Sequence, residues 1–153
     1  MRSPILLGVL SVASIACGSS TTATQQPVVY TSVMNGSNEV PARATTATGT
    51  ATYTLSGNTL SYVVTVSGLT GPATASHIHS GASTVSGPVI VPFTITNGTV
   101  ASGQIDLSQQ IVFGTSSITG DSLKVLLNNG VAYTNVHTAQ FPGGEIRGQI
   151  VKQ

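Results

Sequence analysis

The chain contains three histidines, His77, His79 and His137, and these are the residues on which chemistry could rest. His77 and His79 are two apart in a β-rich run, so on a strand both imidazoles leave the same face. Two imidazoles on one strand face can bind one metal ion. His137 ends a different candidate strand. If the two strands are neighbours, three ring nitrogens can converge. Three histidines with an open fourth position form a catalytic-type zinc or copper site, and imidazole suits both metals. The plainer arrangement has His77 and His79 solvated on either side of an inward Ile78, and His137 capping a strand end through a backbone hydrogen bond. Convergence of the ring nitrogens on a common point separates the two.

Three charged residues come next: Glu39, Glu145 and Arg147. Glu145 and Arg147 share a strand face by their spacing. In a chain with only four acidic and five basic residues, Arg147 is expected to pair with a carboxylate, and Glu39 is a candidate partner across the fold. That pair would be structural, fixing strand register. A functional version makes Glu145 the acceptor that orients His137, since metal-bound imidazoles usually donate their other N–H to a carboxylate or carbonyl.

Other chemistries have little support. There is no cluster of Lys and Arg, which argues against nucleic-acid binding through phosphates and against a polybasic route to anionic lipid. Gly143-Gly144 follows Pro142 without a phosphate-binding helix behind it, so it reads as a tight connection. No serine sits in a nucleophile-elbow context, and His137 has no convincing Asp partner nearby.

The elements that must position the histidines are strands. Candidate strands cover Val28–Met34, Thr46–Leu55, Leu60–Val66, Ala75–His79, Pro88–Thr96, Thr99–Leu107, Val131–His137 and Glu145–Val151. Leu60, Tyr62, Val64 and Val66 alternate with other residues, as in a half-buried antiparallel strand. Ser56-Gly57-Asn58 is a hairpin turn signal. A single helix is predicted over Asp121–Asn128, capped by Thr119 or Asp121, with Leu123, Leu126 and Leu127 as its apolar stripe and Asn129-Gly130 as its end. Loops Ser80–Gly87 and Gly114–Gly120 are left to carry binding specificity. The pattern predicts an all-β chain, an antiparallel Greek-key β-sandwich with one short helix.

The N-terminus is a different material. Met1-Arg2 is followed by a mostly apolar Ile5–Ala16 and then by Cys17, the only cysteine in the chain. That order reads as a secretory signal over residues 1–17 whose end resembles a bacterial lipobox, with Cys17 as the lipidated residue. Ser14 stands where a lipobox usually carries Leu. A polar tether over residues 18–27 then precedes one domain over 28–153. This predicts an exported lipoprotein, anchored to a membrane and facing the periplasm or the cell exterior.

Asn38-Glu39-Val40-Pro41, Gly68-Leu69-Thr70-Gly71-Pro72, His77-Ile78-His79, Gly87-Pro88-Val89, Ala132-Tyr133-Thr134-Asn135-Val136-His137-Thr138 and Phe141-Pro142-Gly143-Gly144-Glu145-Ile146-Arg147-Gly148-Gln149 together resemble the CHRD (chordin) domain, from about Tyr30 to Val151. The resemblance implies a compact extracellular β-domain. A weaker similarity, in His77-x-His79-x-Gly81, Val136-His137 and Gly143-Gly144-x-x-Arg147, is to copper/zinc superoxide dismutase, a sandwich related in architecture to the immunoglobulin fold. It implies copper ligation by His77, His79 and His137, with Arg147 guiding an anion. The bridging and zinc-site histidines of that enzyme have no counterparts here, nor does its disulfide. The expectation is therefore a metal-capable domain for copper or zinc. A surface module without metal, or a copper-only dismutase-like enzyme, are the alternatives.

Overall fold

The computed structural model describes residues 25–96 and 100–153. The expected signal sequence, Cys17 and the expected tether up to residue 24 lie outside the described residues. Twelve strands and one α-helix occur among the described residues: β1 (Val28–Asn35), β2 (Thr48–Ser56), β3 (Thr59–Ser67), β4 (Ala73–Ser80), β5 (Val89–Pro92), β6 (Ile95–Thr96), β7 (Val100–Asp106), β8 (Gln110–Phe113), β9 (Ser116–Thr119), α1 (Gly120–Asn128), β10 (Ala132–Thr138), β11 (Ile146–Gln149) and β12 (Val151–Lys152).

Ten strands form one antiparallel sheet in the order β5-β4-β10-β11-β1-β2-β3-β7-β6, with β12 also on β1. The sheet curls until β4 and β6, near its opposite ends, meet. The result is an all-β sandwich with one short helix, as the alternation pattern predicts. Local chemistry explains the corners. β2 and β3 join through Gly57-Asn58, with Gly57 at φ 57°, the left-handed geometry that a two-residue hairpin needs. Thr119 caps α1 by accepting from the Ser122 amide, and the helix stops before Gly130 at φ 64°.

The core lies inside the curl. Tyr30, Met34, Tyr53, Leu60, Ile78, Leu123, Leu127, Ile146 and Ile150 are each fully buried in it. Phe93 stacks on Tyr62 with centroids 4.3 Å apart. The buried Tyr53 hydroxyl is satisfied by Thr134 Oγ1 at 2.7 Å, which avoids the cost of an unpaired polar group in an apolar core.

Three expectations are corrected. Pro88–Thr96 is not one strand: the chain leaves the ladder at Phe93-Thr94, where Phe93 turns into the core. Gly114–Gly120 is not a loop but the turn and second strand of a hairpin, β8–β9, closed by Gly114 at φ 58°. Glu145–Val151 is interrupted at Ile150, whose amide bonds Ala132 while its side chain enters the core.

The centre of the sheet is covered on both sides. In β4, Ile78 faces the core while His77 and His79 face the other way. In β10, Val136 faces the core, and Tyr133, Asn135 and His137 share the outer face with the histidines. Arg147 and Gln149 of β11 continue that face. Segments 36–45 and 81–87 lie over it. The polar residues of the sequence motifs therefore form a second buried layer, separate from the apolar core.

Candidate metal centre

Register brings the three histidines together. β4 and β10 are antiparallel neighbours, pairing Tyr133 with His79, Asn135 with His77 and Ala75 with His137. His77 and His79 point from one strand, and His137 approaches from the next. One ligand nitrogen from each lies within 4.8 Å of the other two. Three points so spaced lie within 4.8/√3, about 2.8 Å, of a common centre, close to the roughly 2.0–2.1 Å of a metal–imidazole bond. His77 Nδ1 and His137 Nε2 are already 3.2 Å apart, about the separation of two nitrogens on one tetrahedral ion.

The second nitrogens of two rings are fixed by backbone carbonyls. His79 Nδ1 donates to Gly87 O at 2.9 Å, and His137 Nδ1 donates to Pro142 O at 2.9 Å. Each bond assigns the tautomer and leaves an Nε2 lone pair; at His137 that lone pair accepts from His77 Nδ1 when no ion is bound. At His79 the Nε2 nitrogen is buried and has no partner among the described residues. An orphaned buried acceptor is costly, and a cation at the convergence point would satisfy it. The residues present thus fit zinc or copper.

Electrostatics favour the ligand form. Burial holds the imidazoles below their ordinary range, and His77 is lowered to about 4 by burial and then by the nearby His137 and His79. His79 and His137 are lowered by burial as well, partly offset by the Gly87 and Pro142 carbonyls. Three neutral imidazoles at neutral pH are what a divalent ion requires.

The surroundings contain two residues that sequence reading missed. Tyr133 stacks on His79, centroids 4.8 Å apart and planes 14° apart, and its hydroxyl accepts from Gly87 N at 3.1 Å. Its period-two spacing from His137 was the available signal. Phe113, on the hairpin read as a loop, tilts over His77 at 5.6 Å. Nothing in the local sequence announces that contact.

The other expected residues are placed differently. Glu145 does not reach His137, whose second nitrogen goes to Pro142. Its carboxylate is buried and accepts from Thr45 Oγ1, Thr70 N, Thr70 Oγ1 and Thr138 Oγ1. Burial raises its pKa, but the hydrogen bonds from Thr138, Thr70 and Thr45 outweigh that and lower it overall. Glu39 and Arg147 come to one pocket without forming an ion pair; among the described residues the ion pair present is Lys124–Asp121. Arg147 lies over the Tyr133 ring, its Cζ 3.4 Å from the centroid, and donates to Ala82 O at 2.7 Å. β10 separates it from β4, so the Tyr133 ring lies between its guanidinium and His79. Glu39 accepts from Asn135 Nδ2.

A family model of the CHRD domain matches residues 30–150. The chain belongs to the CHRD-domain family. No curated protein matches it, and no solved structure does.

Proposed function

We propose that this CHRD-domain chain is an exported, lipid-tethered protein that binds one copper or zinc ion through His77, His79 and His137. The Nε2 of His79, buried and without a partner among the described residues, in a group of three histidines whose ligand nitrogens lie within 4.8 Å of one another, is the observation that carries this reading. His77 would offer Nδ1, and His79 and His137 would offer Nε2. A bound ion would supply Lewis acidity, and redox chemistry if it is copper. The chain itself presents three neutral imidazoles and holds two of them through backbone carbonyls. Binding, storage or delivery of the metal needs no more than that.

The test is retained metal. The chain is loaded separately with copper and zinc, dialysed, and its metal measured by mass spectrometry. Near one equivalent is expected, falling below about one tenth in His79→Ala. No retained metal in either protein leaves a surface module that acts through its loops. Export through Cys17 rests on the N-terminal pattern and is tested by lipid labelling, which Cys17→Ser should abolish.

A further inference from the structure

A second site lies on the same buried polar layer, away from the histidines. A pocket of about 470 Å³ opens between the segment 37–41, the loop 83–84 and the end of β11. That volume suits a small molecule. Its exposed rim carries Asn38, Ser83 and Thr84, and its floor carries Glu39 and Arg147, which are only 7% and 2% exposed.

The floor is unusual because its two opposite charges do not pair with each other. Glu39 is held by Asn135 on one oxygen. Arg147 is held by the Tyr133 ring and by one hydrogen bond to Ala82 O. The rest of its guanidinium has no protein acceptor among the described residues. Gln149, on the same wall, is held through its amide nitrogen by Gly81 O and Gly130 O, both at 2.8 Å, and its Oε1 is buried without a partner among the described residues. Two fixed and separated charges of opposite sign discriminate by charge. A simple anion suits Arg147 but is repelled by Glu39, and a simple cation meets the reverse. A neutral polyol hydrogen-bonds to both but neutralises neither. A molecule carrying both charges satisfies both, with the planar guanidinium matching a carboxylate.

We propose that this pocket binds a small zwitterion of the free α-amino acid class, its carboxylate on Arg147 and its ammonium on Glu39. Burial pushes the Glu39 carboxyl up to about 7, against the pull of Arg147 and Arg43, so at pH 8 it stands ready as the anion. This site is independent of the metal reading: either can fail alone.

The test uses the full chain at pH 8, titrated with L-serine and L-glutamine and followed by NMR shifts of the Arg147 Nε–H and Gln149 amide signals. Saturable shifts are expected for at least one of the two. N-acetyl-L-serine and L-serinamide, each lacking one charge, should bind at least tenfold more weakly than the parent. Glu39→Gln keeps the shape and should weaken amino-acid binding tenfold or more, while N-acetyl-L-serine, freed of the repulsion from Glu39, should bind no more weakly than to the parent and the retained metal should be unchanged. The proposal is overturned by no saturable shift with either amino acid, by equal binding of N-acetyl-L-serine, or by unchanged affinity in a folded Glu39→Gln chain.

Discussion

His79 donates its Nδ1 proton to the carbonyl oxygen of Gly87 at 2.9 Å, which leaves its Nε2 buried and without a partner among the described residues. One loop carbonyl thus sets the tautomer, the ring orientation and the free lone pair. The Tyr133 hydroxyl takes the Gly87 amide at 3.1 Å, so the loop is fixed from the strand that also carries His137.

That support predicts the effect of Tyr133→Phe. The ring that stacks on His79 remains, but the Gly87 amide loses its acceptor and the Gly87 carbonyl loses the hydroxyl that donates to it at 3.3 Å. A lost hydrogen bond of this kind costs about 1 kcal/mol, and loosened outer contacts typically cost 10–100-fold in metal affinity. A melt should show the small loss, and competition with a chelator should show metal binding at least tenfold weaker. Unchanged metal affinity would mean that the loop does not orient His79.

Gly87 itself admits no side chain. A Cβ there would overlap the backbone oxygen of Ser80. Gly87→Ala must therefore shift the loop, moving the carbonyl away from His79. Metal retention should fall further than in Tyr133→Phe, with the strand core intact by circular dichroism.

The histidines predict how the metal-free chain responds to acid. An unfolded imidazole titrates near 6.5, whereas His77 in the fold is lowered to about 4 by burial and its two histidine neighbours. Between those values the unfolded chain binds a proton that the folded chain does not. Stability from this group is complete above 6.5 and is lost as pH falls toward 4. Glu39 acts oppositely, because its folded carboxyl is raised to about 7 and holds a proton that the unfolded one has lost. Comparison with His77→Ala isolates the imidazole. Between pH 7 and 4.5 the parent should lose more melting temperature than the variant. Parallel losses would place His77 outside the buried cluster.

Glu145 predicts a stability effect without a metal effect of its own. Its carboxylate collects three threonine hydroxyls and one amide from three separate segments. Glu145→Ala strands those donors, and hydrogen bonds to a charged group are worth about 1.5–3 kcal/mol each, non-additively. A loss of roughly 3 kcal/mol or more is expected in urea unfolding. A loss under about 1 kcal/mol would show that water replaces the carboxylate readily.

Much of this architecture is legible in the residues. Alternation in Leu60–Val66 and the Gly57-Asn58 turn place β2 and β3, and Thr119, Asn129 and Gly130 place α1, because these signals are local. The spacing of His77 and His79 puts both on one face for the same reason. What the sequence does not carry is anything that depends on long-range register. That Glu145 serves three threonines, and that Glu39 and Arg147 share a pocket without pairing, follow from which strands lie beside which and how segments 36–45 and 81–87 fold over them. The β8–β9 hairpin is missed because Gln110–Phe113 and Ser116–Thr119 are short and mostly exposed, with Ile111, Val112 and Phe113 in an unbroken run, leaving no apolar alternation to read.

The most direct test of three-histidine ligation is X-ray absorption at the copper and zinc edges of the loaded chain. The account predicts one ion with three imidazole nitrogens at about 2.0–2.1 Å, falling to two in His137→Ala. A shell made of oxygen, or one with a single imidazole that the variant leaves unchanged, would contradict it.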